Sequence, residues 1–303
     1  MRRARFTWPG AYHHVMNRGI EGMAIFETDH LKDRFISMLA ESTERTKLRV
    51  FAYCIMDNHF HLVLENSSER LSDFCRLACG TFGSYFRFLR QDRGYVFQGR
   101  FKSTLIEDDC YLKQALAYVL FNPVKSSYCA QADQYQWSSI HHYFSQSPAP
   151  WLAVDLVEGL FGNREQLLQS LAEQDALFQI NQVNTKRGFI LGGPDFPNIA
   201  KQRSNRRRGS QSVMRRRSDD LHFEPAAKVI QEFERLHEVD IAHINTKTYA
   251  GKRLRAELLV KLVDLCGLRF HEISKMEPFS DVRFESLRTI CRNVRKKTSG
   301  KSR

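Results

Sequence analysis

The hydrophobic pattern over residues 1–145 predicts a mixed succession of strands and helices. A short strand over residues 12–16 enters from Pro9-Gly10 and leaves through Asn17-Arg18-Gly19. Leu31, Phe35, Met38 and Leu39 have helical spacing, and an aspartate opens that segment, which predicts a helix over 29–46. Residues 50–55 and 59–65 read as two strands joined by the turn pair Asp57-Asn58. A long helix is expected over 72–90, with Phe74, Leu77, Ala78, Phe82, Tyr85, Phe86 and Leu89 on its apolar side. A further strand covers 100–106. A helix over 109–121 should then stop at Asn122-Pro123, because the residue before a proline avoids helical dihedrals.

Beyond this module the pattern weakens. Trp137, Tyr143, Trp151, Leu156 and Phe161 suggest a packed helical extension over 146–200, to which no task is assigned. Residues 201–218, KQRSNRRRGSQSVMRRRS, carry Lys201 and seven arginines with almost no large apolar side chain, the composition of a flexible basic linker. From 219 to 303 the periodicity is helical again. Helices are expected over 225–236 and 252–266, with a short one over 270–276. A last helix, capped by Ser280, turns Leu287 and Cys291 inward and Arg283, Arg288 and Arg292 outward. Short helix, turn and basic helix is the order of a helix-turn-helix, although a plain bundle with a solvated basic face would read the same way.

Charge narrows the partners. A formal net charge of +12 and a pI near 9.5 favour a polyanion. Without an amphipathic lipid-binding segment or a lipidation signal, nucleic acid fits better than a membrane surface. The basic N-terminus lacks an apolar core of the kind a secretory signal needs, so a cytoplasmic, nucleoid-associated protein is expected. The seven cysteines are odd in number, irregularly spaced and free of any Cys-x-x-Cys pair, which argues against a disulfide framework or a zinc ribbon.

Two clusters carry chemistry. In His59-Phe60-His61 strand alternation sets both imidazoles on one face and sends Phe60 to the other, which makes half of a divalent-metal site. On the following helix Tyr111, Gln114, Tyr118 and Asn122 form a polar stripe opposite Leu112, Leu116, Val119 and Leu120. His13 and His14 are neighbours that point to opposite faces. They cannot share one metal and are read as structural, as are His141 and His142.

These residues lie in the strings MDNHFHLVLE, GYVFQGRFKSTLIEDDCYL and AYVLFNPVKSS, preceded by YHHVMNRG. In that order they resemble the single-tyrosine HUH transposases, and most nearly the REP-associated tyrosine transposases and their insertion-sequence relatives. The likeness runs from Tyr12 to Trp137-Ser138-Ser139. It implies an α+β chain, a ferredoxin-like HUH endonuclease domain followed here by the small all-α, helix-turn-helix-like domain. It further implies metal ligation by His59 and His61, completed by the Asn122 amide, and a nucleophile four residues before Asn-Pro, which is Tyr118; Tyr111 is the second choice. Mg²⁺ or Mn²⁺ is the expected ion, although the spacing alone would also permit zinc; single-stranded or hairpin DNA is the expected substrate, and a homodimer the expected assembly. The product would be a 5′-phosphotyrosine. No Walker-type Gly-Lys loop is present, in keeping with transesterification that needs no ATP.

Cations near the motifs, with the neutral amide of Gln98, supply candidate DNA contacts: Arg18, Arg87, Arg90, Gln98, Arg100, Lys102 and Lys125, interleaved with Tyr85, Phe86, Phe88, Tyr95 and Phe97 that could stack on unpaired bases. Arg283, Arg288 and Arg292 are candidates for duplex contact, although the stretch 277–285 lacks the histidine-threonine signature of replication-initiator helix-turn-helix domains. Two other readings remain: a catalytically silent nucleic-acid-binding relative, and a metal-dependent hydrolase that uses water instead of tyrosine.

Overall fold

The computed structural model describes residues 5–91, 93–213, 224–266 and 268–299. The chain forms two compact units that divide between Val213 and Met214. In the first, β1 (Tyr12–Arg18), α1 (Asp29–Thr46), β2 (Arg49–Ile55), β3 (His59–Glu65), α2 (Leu71–Arg90) and β4 (Lys102–Ile106) follow in sequence. Their strands pair antiparallel in the order β2-β3-β1-β4, the ferredoxin-like arrangement of a βαββαβ unit. Thr28 caps α1 by accepting from the Leu31 amide at 3.3 Å, and Asp108 caps the next helix, α3 (Asp109–Lys125), by accepting from Cys110 and Tyr111.

Alternation along β3 decides what each face of the sheet holds. Phe60 is 1% exposed and meets Phe35 at 4.8 Å and Phe26 at 6.4 Å between ring centroids. Phe82 of α2 closes the same aromatic core against Phe26 and Phe35. The opposite face of β3 is covered by α3, which runs past the expected stop at Phe121 to Lys125 with Pro123 inside it. Leu120, Asn122 and Pro123 are all buried, and the Ser126 amide still reaches the Asn122 carbonyl at 3.0 Å. Packing on both sides outweighs the one helical hydrogen bond that proline cannot make.

The extension is part of the same unit. It contributes α4 (Val154–Phe161), α5 (Arg164–Asn181), the hairpin β5 (Gln182–Thr185) and β6 (Gly188–Leu191), and α6 (Phe196–Val213). β6 joins β4 in parallel and carries β5 on its outer side, so the sheet has six strands. α6 also departs from the sequence reading. Residues 201–213 continue a helix instead of a linker; 214–218 lie outside the described residues. The helix is anchored at its start by Phe196 and Ala200, which pack with Phe6, Ala11, Leu105 and Ile190, and the Arg203 guanidinium lies 5.1 Å above the Trp8 ring.

The second unit consists of α7 (Ala226–His237), α8 (Tyr249–Asp264), α9 (Phe270–Ile273) and α10 (Phe284–Ser299). Val229, Phe233, Leu258, Leu262, Ile273 and Leu287 share its core. Ser280 does not cap α10, which begins at Phe284; its hydroxyl donates to Glu277 at 2.7 Å. Among the described residues no helix is long and apolar enough to cross a membrane.

His13 sits in the core between the hydroxyls of Thr7 and Ser103, at 3.0 and 2.9 Å. Burial, and then the Arg5 guanidinium, lower its pKa to about 3; burial alone does the same to His14. Unfolding returns both to about 6.5. Between those limits the unfolded chain binds more protons, so stability falls as pH drops through that window. Urea midpoints should therefore decline from about pH 7 to about pH 4, and His13→Gln should flatten the decline. Equal slopes for the two chains would contradict this account.

Candidate active site

The histidine pair is set by the turn before it. Lys32, almost fully buried, holds the Asp57 carboxylate at 2.8 Å and lies 4.4 Å above the Trp137 ring; Tyr128 donates to the same carboxylate at 3.1 Å. The next residue, Asn58, accepts from Nδ1 of His59 at 2.6 Å through its side-chain oxygen. The backbone beside it is fixed by Gly19, whose amide donates to the Asn58 carbonyl at 2.8 Å. A Cβ at Gly19 would stand 2.2 Å from the Met23 carbonyl oxygen, so no larger residue fits there without moving the chain.

From this anchored start, β3 presents His59 and His61 on one face, with ring centroids 4.9 Å apart. α3 brings Tyr118 to 5.4 Å from the His61 ring, edge to face. Asn122, one turn further along α3 and buried, lies close enough to both His59 and Tyr118 to raise the pKa of the first and lower that of the second, against the effect of burial. The four residues expected to form the centre thus converge. Tyr111, the second choice, is buried on the same helix, and the phenol that meets the histidines is that of Tyr118.

Two contributors were not foreseen. His14, read as structural, is a member of the cluster: its Nε2 is 2.9 Å from Nδ1 of His61, and the two rings stack at 5.1 Å. The antiparallel register that sets Met16 beside His61 puts His14 on the same face, while His13 points to the other. The second is α5, in the stretch to which the sequence assigned no task. Phe178 stacks on Tyr118 at 4.2 Å, Asp175 pairs with Lys125 at 3.1 Å, and the Asn181 amide donates to Gln114 at 3.1 Å. The polar stripe of α3 therefore faces a matching stripe of α5.

Burial lowers the pKa of His59 and sends that of His61 well down, the latter aided by the neighbouring His14, His59 and Lys125. Both rings are held neutral, the form that ligates metal. Two imidazoles and an amide oxygen make a mixed nitrogen–oxygen donor set of the kind a divalent ion accepts, and it does not by itself separate Mn²⁺ from Zn²⁺. Among the described residues no three His, Cys, Asp or Glu side chains are grouped as a ready metal site. Burial and the Asp175 carboxylate raise the Tyr118 pKa, and the nearby Asn122 amide opposes them. The Lys125 ammonium stands 5.1 Å over the phenol ring.

The candidate DNA contacts separate into groups. Arg18 lies opposite His59 in the sheet, and its carbonyl accepts from the Gln98 amide at 2.9 Å, so the loop carrying Gln98 and Arg100 borders the site. Arg18, Gln98, Arg100, Lys102 and Lys125 are exposed. Arg87 is half-buried on α2 and bonds Ser84, next to exposed Phe88, while Arg90 is held by Glu27. Of the aromatic residues, Phe86 is buried, Phe97 packs on Phe60 and Tyr85 bonds His30. Phe88 and Tyr95 remain 80% and 83% exposed. Arg283 and Arg292 are exposed in the second unit and Arg288 is half-buried there.

No family model matches the chain. A Haemophilus influenzae protein assigned as a REP-associated tyrosine transposase is 27% identical over 127 residues, which span 38% of this chain and 70% of that protein. Among solved structures, a REP-associated tyrosine transposase bound to a REP hairpin matches over 50% of this chain and 88% of its own, at 14% identity and a TM-score of 0.40. A protein of Deinococcus radiodurans R1 assigned as a transposase matches over 34% and 84%, at 14% identity and a TM-score of 0.28. At those TM-scores no residue is carried over from either structure. The ordered motifs around His59, His61 and Tyr118 and the Haemophilus relative point the same way: this chain is similar to the REP-associated tyrosine transposases.

Proposed function

We propose that the chain is a metal-dependent, single-stranded DNA transesterase of transposase type, with Tyr118 as nucleophile. One observation carries the reading: the Tyr118 phenol meets the His61 ring at 5.4 Å, His59 stands 4.9 Å beyond it, and Asn122 is buried one turn along the same helix. Tyr118 Oη attacks the scissile phosphorus as the P–O3′ bond breaks. The phenol proton leaves to solvent, and the 3′-oxygen takes a proton from solvent and departs as a hydroxyl. The strand is left as a 5′-phosphotyrosine on Tyr118, and attack by a 3′-hydroxyl reverses the step without ATP. His59, His61 and Asn122 would hold Mg²⁺ or Mn²⁺, which supplies charge neutralisation at the phosphate and at the leaving oxygen. Phe178 fixes the phenol plane, and the Lys125–Asp175 pair sets a positive charge beside it.

The substrate we propose is single-stranded or hairpin DNA, engaged by a homodimer. Arg18, Gln98, Arg100 and Lys102 would carry backbone phosphates toward the centre. Arg87, Phe88 and Tyr95 would supply cation and stacking faces for unpaired bases; Arg90, tied to Glu27, is the weaker candidate. Arg283, Arg288 and Arg292 would bind duplex DNA as part of a helix-turn-helix-like unit. A catalytically silent nucleic-acid-binding protein is the second reading. It draws on the lack, among the described residues, of three grouped acidic, histidine or cysteine ligands.

With labelled hairpin DNA and Mn²⁺, the wild-type chain should form a denaturation-resistant adduct that Tyr118→Phe abolishes. Binding without any adduct would favour the silent reading, and an adduct that survives the substitution would move the nucleophile. Phe178→Leu keeps bulk but loses an aromatic pair worth about 0.5–1.5 kcal/mol, so adduct formation should slow by up to about tenfold. Unchanged single-turnover rates would separate α5 from the chemistry. Replacing Arg283, Arg288 and Arg292 together by alanine should weaken duplex binding in a gel-shift assay while cleavage of a short oligonucleotide continues.

A further inference from the structure

His14 presents a problem that a structural reading does not solve. It is fully buried, and its Nδ1 has no hydrogen-bond partner among the described residues. Buried polar atoms are nearly always satisfied, and one that is not calls for a reason. A core histidine kept only for packing could be replaced by an aromatic ring at no such cost. The ring is nonetheless held on three sides, by His61, by Tyr118 at 5.3 Å and by Phe178 at 5.6 Å.

The two histidines of β3 are held alike. Each has Nδ1 engaged by a neighbour: His59 by the Asn58 oxygen at 2.6 Å, His61 by His14 Nε2 at 2.9 Å. An amide oxygen can only accept, so His59 carries its proton on Nδ1 and its Nε2 is the nitrogen with a lone pair. For His61 the contact alone allows either direction. We propose that His14 is a positioning residue that accepts from His61 Nδ1–H and so locks His61 in the same tautomer, with its Nε2 lone pair directed to chemistry. His14 must then keep its own proton on Nδ1, the atom without a partner. One uncompensated donor is the consequence of giving both histidines the same free nitrogen. Neighbours that orient ligand histidines through their second nitrogen work in this way.

The direction of the bond rests on the proposed function, since a metal needs that lone pair, but the tautomer can be read without metal. In the full-length, metal-free protein, imidazole ¹⁵N shifts should show His61 with a protonated Nδ1 and a bare Nε2. His14→Phe, which keeps a ring in the stack but offers no acceptor, should shift His61 toward the Nε2-protonated form. His14→Gln, whose amide oxygen can accept, should restore the wild-type pattern. By calorimetry His14→Phe should bind Mn²⁺ about 10–100-fold more weakly than wild type, with His14→Gln recovering most of the loss. A wild-type His61 protonated on Nε2 overturns the inference, and needs no variant to fold. So does a folded His14→Phe chain that keeps both the wild-type tautomer and the wild-type affinity. The predicted tautomer in a wild-type chain that takes up no Mn²⁺ supports the role of His14 and overturns the metal reading instead.

Discussion

Strand β3 lies between β1 and β2, and its side chains must leave the sheet on alternate faces. That single geometric rule divides the unit. Phe60 goes to the aromatic core beneath α1 and α2, while His59 and His61 go to the face that α3 covers. A slip of one residue would bury the wrong set, so the hydrophobic demand for Phe60 in the core also fixes the two imidazoles. Stability and chemistry are thus read from the same register. The Lys32–Asp57 pair at the start of the strand, shielded by Trp137, keeps that register from drifting at the end where His59 sits.

The pocket itself is dry enough to hold its histidines neutral and its phenol protonated. Neither condition favours attack on phosphorus by itself. Both would suit the proposed transesterase, in which charge arrives with the substrate and the ion. The polar groups around the phenol are short-range and mostly neutral. Lys125, pinned by Asp175, supplies the nearby cation.

Local rules made much of this legible. Period-two alternation was enough for the histidine pair, and helical spacing was enough to bring Tyr118 and Asn122 onto one stripe. His14 was misread because its role depends on which residue of β3 it meets, and pairing register across a loop and a helix is not a local property. Phe178 was missed for a similar reason: Asp175, Phe178 and Asn181 look like an ordinary half-buried helix face until α3 is set against them. Pro123 obeyed its local preference poorly because tertiary burial around Asn122 overrode it. The basic run beginning at Lys201 was composed like a linker, yet Phe196 and Ala200 gave its helix a foothold that composition does not register.

The hairpin that adds β6 to β4 changes the outline of the sheet in a way that concerns self-association. An open strand edge is a template on which another chain can pair. Here the outer edge of β4 is already occupied by β6, and the far side of β2 is crossed by bridges from Val50 to Leu152 and from Cys54 to Ser138. The flank of β5 is left as the sheet's own terminus. Two copies could therefore not merge their sheets through β4. A continuous intermolecular sheet would have to be built from the short, largely polar strand Gln182–Thr185, or else association must proceed through side chains alone.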